Sequence, residues 1–109
     1  MKKEYRIRKN EEFERIIQLK KSFSDARFVV YYAPRQLNNA RIGISVSKKM
    51  GDAVDRNKIK RQLRMMLLDI VDFEKCQKDL IVIVRKAYLE NDYQSNKDDL
   101  EKIIKKAII

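Results

Sequence analysis

The chain of 109 residues has no histidine, one cysteine, one proline and two glycines. Each shortage removes a class of chemistry. Without histidine there is no imidazole general base, no Cys-His nucleophile pair and none of the usual zinc sets. Cys76 stands alone, so no internal disulfide can form, which suits a reducing compartment. It reads as a packing or loop residue rather than a nucleophile. Gly43 and Gly51 are too few to build a GxGxxG turn or a P-loop. No apolar run approaches the roughly 18 to 20 residues that span a membrane. The opening MKKEYRIRKN lacks the apolar core of a secretory signal. A cytoplasmic protein without membrane attachment is therefore expected. The carboxylates are scattered, and no pair has a spacing that demands a metal. Nothing in the sequence marks an active site of the chain's own.

What is abundant is positive charge. Twenty-six Lys and Arg face sixteen Asp and Glu, a formal net charge of +10 with pI near 9.8. A polyanion is the expected partner, either nucleic acid or an anionic surface. The length fits one domain covering residues 1–109. Half of the excess charge lies between Lys48 and Arg64, where seven basic residues meet two acidic ones.

That stretch, RIGISVSKKMGDAVDRNKIKRQLR over 41–64, organises the rest. Ile42, Ile44 and Val46 alternate with Arg41, Gly43, Ser45 and Ser47, predicting a strand over 41–47. A turn at Met50-Gly51 leads to a helix over about 53–72, with Asp52 or Asp55 available as its cap. Ile59, Leu63, Met66, Leu67 and Ile70 fall on one side of that helix. Asn57, Lys60, Arg61 and Arg64 share a solvent arc, with no acidic residues interleaved to form ordinary surface pairs. Cations near a helix N-terminus cost stability, so their placement there suits a bound anion such as phosphate.

The remaining chain reads as follows. Residues 1–9 form a basic arm, extended or disordered. Asn10 is a candidate N-cap for a helix to about Lys21, with Phe13, Ile16 and Ile17 on one face. Residues 26–33 predict a strand with Phe28, Val30 and Tyr32 on one side and Val29, Tyr31 and Ala33 on the other. Pro34 stops it, and 36–39 suggest a hairpin loop. The run LIVIV at 80–84 reads as an interior strand buried on both faces. It would close a βαβ unit with 41–47 and 53–72, right-handed by the general rule. Asp92, or Ser95 with Asp98, can open a last helix with Leu100, Ile103, Ile104 and Ala107 inward.

The segment Ser45 to Lys49, then Gly51, Ala53-Val54, Arg56 to Arg61 and Arg64, strongly resembles the bacterial ribonuclease P protein family, whose hallmark is an Arg-Asn-Arg helix start after a strand. Lys58 stands here at the third position of that triplet. Arg8 to Phe13, Arg27 to Tyr31 and Ile81 to Lys86 match the family in the same order, so the resemblance covers nearly the whole chain. It implies an α+β fold: a single-domain α/β sandwich, as in the second domain of a small-subunit ribosomal protein. A central sheet of about four strands would carry three helices and a left-handed βαβ crossover, against the general rule. It implies a subunit that binds a catalytic RNA and promotes removal of the 5′ leader from precursor tRNA, with no obligate protein partner. The Mg2+ ions would be held mainly by the RNA and none by the protein alone. By this resemblance Lys48, Lys49, Arg56, Asn57, Lys58, Lys60, Arg61 and Arg64 face RNA, while Phe13, Ile17, Tyr31 and Arg85 line a cleft for the leader.

Two other readings remain: a ribosomal-type structural RNA-binding protein, and a self-sufficient nuclease. The first shares the basic helix but not the link to cleavage. The second has no histidine or carboxylate cluster to work with.

Overall fold

The computed structural model describes residues 1–109. A four-stranded mixed sheet carries one short helix on one face and two longer helices on the other. The strands are β1 (Ser22–Ser24), β2 (Phe28–Pro34), β3 (Ile42–Ser45) and β4 (Lys78–Val84), in the order β1-β2-β4-β3. The helices are α1 (Asn10–Gln18), α2 (Ala53–Ile70) and α3 (Tyr93–Ile108).

The LIVIV run is the middle of the sheet. β4 pairs antiparallel with β2 along seven residues and parallel with β3 along four. The strands before and after 36–39 are thus not a hairpin: β4 lies between them. Its burial on both faces was legible, but only one of its two neighbours is parallel. β3 is shorter than expected. Beyond it the edge is continued by the arm, where Arg6 bridges Ile42 and the Ile7 amide donates to the Ile42 carbonyl at 3.1 Å. Residues 1–9 are therefore ordered, with a single 3₁₀ turn at Lys3–Tyr5 and Ile7 buried.

Alternation then decides the layers. Phe28, Val30, Ile42, Leu80, Val82 and Val84 face α2 and α3 and form the larger core with Ile59, Leu63, Met66, Leu67, Leu100 and Ile104. Ala33 and Ile81 point the other way and meet Ile16 of α1 and Ile7 of the arm. Each fully buried aliphatic side chain here contributes about 1.5–3 kcal/mol, so the larger core dominates stability. The smaller one fixes where α1 sits.

α1 departs from expectation at both ends. Lys9, not Asn10, is the capping position, with no side-chain cap, and the Glu12 and Phe13 amides donate to its carbonyl at 3.1 and 3.2 Å. Glu11 and Glu12 in the first turn suit the helix dipole. The helix stops at Gln18 because Lys20 enters the left-handed region at φ 57°, its amide closing on the Ile17 carbonyl. That reversal frees residues 22–24 to form edge strand β1, which the sequence reading missed. β2 begins at Phe28 rather than Ala26, since Asp25 Oδ1 accepts the Arg27 and Phe28 amides at 2.8 and 2.9 Å and holds a turn there. α3 starts after Asp92, whose carboxylate accepts the Ser95 amide at 2.8 Å, and the alternative start at Ser95 is not used. No helix is long and apolar enough to cross a membrane.

Candidate nucleic-acid interface

The basic helix is presented by a rigid turn. Lys48–Met50 make one 3₁₀ turn, anchored by the buried Met50. Gly51 follows at φ 132°, and a Cβ there would lie 2.6 Å from Asp55 Oδ2. Both conditions require glycine. Asp52 then caps α2. Its carboxylate accepts the Asp55 amide at 2.9 Å, and the Asp55 carboxylate accepts the Asp52 amide at 3.2 Å. The hydrogen bond from the Asp55 amide holds the Asp52 carboxyl below its ordinary pKa, against some burial, and Arg56 one turn on adds to the shift. Both acids of the stretch are thus engaged in the cap.

Burial of Ile59, Leu63, Met66 and Leu67 turns Arg56, Lys60 and Arg64 into a stripe along one flank of α2. Asn57 and Arg61 stand exposed beside them. The chain has four ion pairs: Arg41–Glu12, Arg41–Asp79, Lys97–Asp69 and Lys105–Glu101. None involves Lys48, Lys49, Arg56, Lys58, Lys60, Arg61 or Arg64. Lys58 is set apart from the group. It lies on the opposite flank, in a groove with Tyr88 and Leu89.

The arm adds cations that the motif did not name. Arg6, Arg8, Lys60 and Arg64 line one small depression with Met1 and Ile42, and no carboxylate lines it. Arg6 Nη2 donates to the Met1 carbonyl at 2.8 Å, while its buried Nε has no partner. Burial, and then the nearby Arg6 charge, depress the Arg64 pKa. Arg64 is accordingly half-buried rather than fully exposed. The charge of the 1–9 arm was legible, but its docking against α2 was not.

The second region lies on the α1 face of the sheet. α1 has only nine residues and covers part of that face. Phe13, Ile17, Tyr31 and Ile83 surround the small core and remain half-buried. They form an apolar surface beside α1, bordered by the strand positions of Ser22 and Ser45, which pair with Tyr31 and Ile83. Three expected residues, Phe13, Ile17 and Tyr31, are thus brought together. Arg85 is exposed just beyond the end of β4, with Nη1 donating to the Asp25 carbonyl at 2.9 Å. Ile83 and the serines were not singled out from sequence. Ile83 was visible as alternate to Val82, but β1 was too short to read.

A groove of about 490 Å³ joins the two regions. Phe13 and Ser45 from the α1 face and Lys60 from the basic helix all line it, together with Arg8, Asn10 and Glu14. Gly43 makes this possible: a Cβ at that position would lie 2.5 Å from Phe13 Cζ and 2.8 Å from Ile81 Cδ1. The ring lies directly on the strand because no side chain intervenes.

Arg41 serves the frame rather than the interface. It is buried and bridges Glu12 of α1 at 2.7 Å and the fully buried Asp79 of β4 at 3.4 Å. Asp79 also accepts the Arg41 amide at 3.0 Å. Alternation had placed Arg41 on a polar strand side, where this role could not be seen. Cys76 is buried, its thiol pKa raised chiefly by burial, and Sγ lies 3.5 Å from the Lys78 carbonyl oxygen. No three carboxylate or thiol groups converge in a geometry that could hold a metal ion.

Fold and surface together define a small basic α+β domain with an unneutralised cationic helix beside an apolar cleft. The family model described as Ribonuclease P matches residues 1–108. A ribonuclease P protein component from Bacillus cereus is 42% identical over 108 residues, covering 98% of this chain and 94% of its own. One from Streptococcus equi subsp. zooepidemicus is 39% identical, covering 98% and 89%. Among solved structures, the Staphylococcus aureus RNase P protein superposes with a TM-score of 0.84 at 37% identity, covering 96% of this chain and 98% of that one. The Thermotoga maritima RNase P protein gives 0.79 at 28% identity, covering 93% and 96%. The chain belongs to the ribonuclease P protein family.

Proposed function

We propose that this protein, as the protein subunit of ribonuclease P, binds its RNA subunit through α2 and the arm and holds the 5′ leader of precursor tRNA in the α1–sheet cleft. One observation carries the reading: Phe13 of the apolar face and Lys60 of the basic helix line a single groove. A single strand leaving the cleft would keep its bases on apolar and aromatic surface and its phosphates beside cations. Arg56, Lys60, Arg61 and Arg64, with Lys48 and Lys49, supply phosphate contacts, and the arginines can grip in two-point fashion. Asn57 offers amide donors on the same side. Phe13 and Tyr31 supply stacking surface, and Ile17 supplies apolar contact. Arg85 lies at the far end of the cleft, where it would meet the leader backbone.

On this reading the Mg2+ ions that assist phosphodiester hydrolysis belong to the RNA. No three of the protein's carboxylates come together. The protein positions the leader and offsets phosphate repulsion, and it acts without an obligate protein partner.

The test is affinity of the reconstituted particle for leader-bearing against mature tRNA. Wild type should prefer the former, and Tyr31→Leu, which keeps apolar volume for the small core, should reduce that preference. A variant that weakens both equally would assign Tyr31 to packing alone.

A further inference from the structure

We propose that the groove on the far flank of α2, between its first turns and residues 86–91, receives one unpaired base of the RNA subunit. This rests on the reading above and extends it to a surface outside the cleft and the cationic stripe. The groove measures about 340 Å³, the low end for ligand sites and suited to a single base. Its apolar floor is Met50, Ile59 and Tyr88, Leu89 stands at its mouth, and Asp55, Lys58, Gln62 and Asn91 complete the lining, with Asp55 held in the α2 cap.

The polar groups around that floor are complementary to a base edge. Gln62 Oε1 is used by the Tyr88 hydroxyl, which donates to it at 2.7 Å, so the Gln62 amide nitrogen remains free to donate. Asn91 uses its nitrogen on the Ala87 carbonyl at 2.7 Å, so its side-chain oxygen remains free to accept. One free donor, on the α2 side, and one free acceptor, on the side of residues 86–91, match the mixed donor and acceptor pattern of a base edge. Burial pushes the Tyr88 hydroxyl up to about 12, so it stays a neutral donor and holds Gln62 in place. Lys58, without an ion-pair partner, stands where the attached phosphate would be. Leu89 is 56% exposed although it is a leucine at the mouth of a groove, and a stacked base would cover it. Lys58, which lines the groove, directly follows the exposed Asn57 in α2 and lies one turn before the exposed Arg61, so the groove and the cationic face are neighbours on the helix.

The experiment uses the full chain bound to a bacterial ribonuclease P RNA, probed with reagents that modify Watson–Crick edges of unpaired bases. Wild type should protect one unpaired base that Leu89→Glu and Asn91→Ala leave reactive, with other protections unchanged. These variants should bind the RNA about fivefold to 150-fold more weakly, the range expected for one lost base contact. Lys58→Gln, an exposed substitution that does not touch the core, should lower the salt dependence by about one phosphate contact. Unchanged protections and affinity in all three variants would overturn the base pocket while leaving the subunit reading intact, and would leave this groove to a protein partner. Failure of wild type to bind the RNA at all would overturn both.

Discussion

Gly43→Ala is the substitution that couples fold and cleft most directly. The added Cβ would meet Phe13 Cζ at 2.5 Å, Ile81 Cδ1 at 2.8 Å and Phe13 Cε1 at 3.0 Å, whereas ordinary contact begins at 3.4 Å. Phe13 would have to retreat by about 0.9 Å. Ile81 cannot yield, being fully buried between β2 and β3. Overpacking of this kind costs about 1–3 kcal/mol. The smaller unfolded-state entropy of alanine returns about 0.4–1 kcal/mol. A net loss of about 1–2 kcal/mol follows, lowering Tm by roughly 5–10 °C for a domain of this size. Because the moving group is the cleft's ring, affinity for leader-bearing tRNA should fall while affinity for the RNA subunit stays. Phe13→Leu in the Gly43→Ala background removes the clashing ring atoms and should recover part of the lost Tm. Thermal melts and binding to both RNAs test this. Melting at or above wild type with unchanged leader affinity would refute the placement of Phe13 on Gly43.

Three other outcomes follow from the geometry. Arg41→Met strips the buried Asp79 carboxylate of its cation and should cost about 3–5 kcal/mol in denaturant unfolding; a midpoint within error of wild type would show that the Arg41–Asp79 bridge does not hold the fold. Arg61→Ala should leave Tm unchanged but weaken RNA binding and reduce the salt slope, about −4 to −6 for five to seven phosphate contacts, by about one; equal affinity and slope would remove Arg61 from the interface. The Asp25–Asp99 pair should give stability a pH dependence. Burial, then the hydrogen bond and charge of Asp25, raise Asp99 to about 6. Burial alone would raise Asp25 as well, but the Asp99 hydrogen bond and the Phe28 and Arg27 amides outweigh it and hold that carboxyl low. Asp99 binds its proton more tightly in the fold. Its contribution is therefore complete below the ordinary carboxylate value near 3.8 and is lost as pH rises through about 6. Asp25 works in the opposite sense, its contribution being lost only as pH falls below the ordinary range. Stability should thus drop between about pH 4 and 6 by on the order of 1 kcal/mol once solvent screening is allowed for. Asp99→Asn, a permanent donor to Asp25, should abolish the drop, and an unaltered pH profile would contradict the shared proton.

The sequence made some of this legible and not the rest, for physical reasons. Periodicity exposed the inward faces of α2, α3 and β4, since these are long and a core selects them residue by residue. The Asp52 cap and the unpaired cations after it were equally open to reading, being local in sequence. Strand order was not. Residues 26–33 and 41–47 look like a hairpin until β4, more than thirty residues on, inserts between them. β1 has three residues and no buried side chain, so no pattern betrays it. The end of α1 turns on a lysine at positive φ, which glycine would have announced. Among candidate site residues, Phe13, Ile17 and Tyr31 pack around one small core, which only the fold brings together. Lys58 falls on the far flank because 100° per residue carries it past the exposed arc. Arg6 and Arg8 join Lys60 and Arg64 only through a tertiary contact between arm and helix.

Cleavage of a precursor tRNA by a bacterial ribonuclease P RNA at low magnesium, with and without this protein, tests the central claim most directly. Stimulation that requires both RNA and protein, with no cleavage by the protein alone, is the predicted result. RNA binding without any stimulation would contradict the account and leave a structural RNA-binding protein in its place.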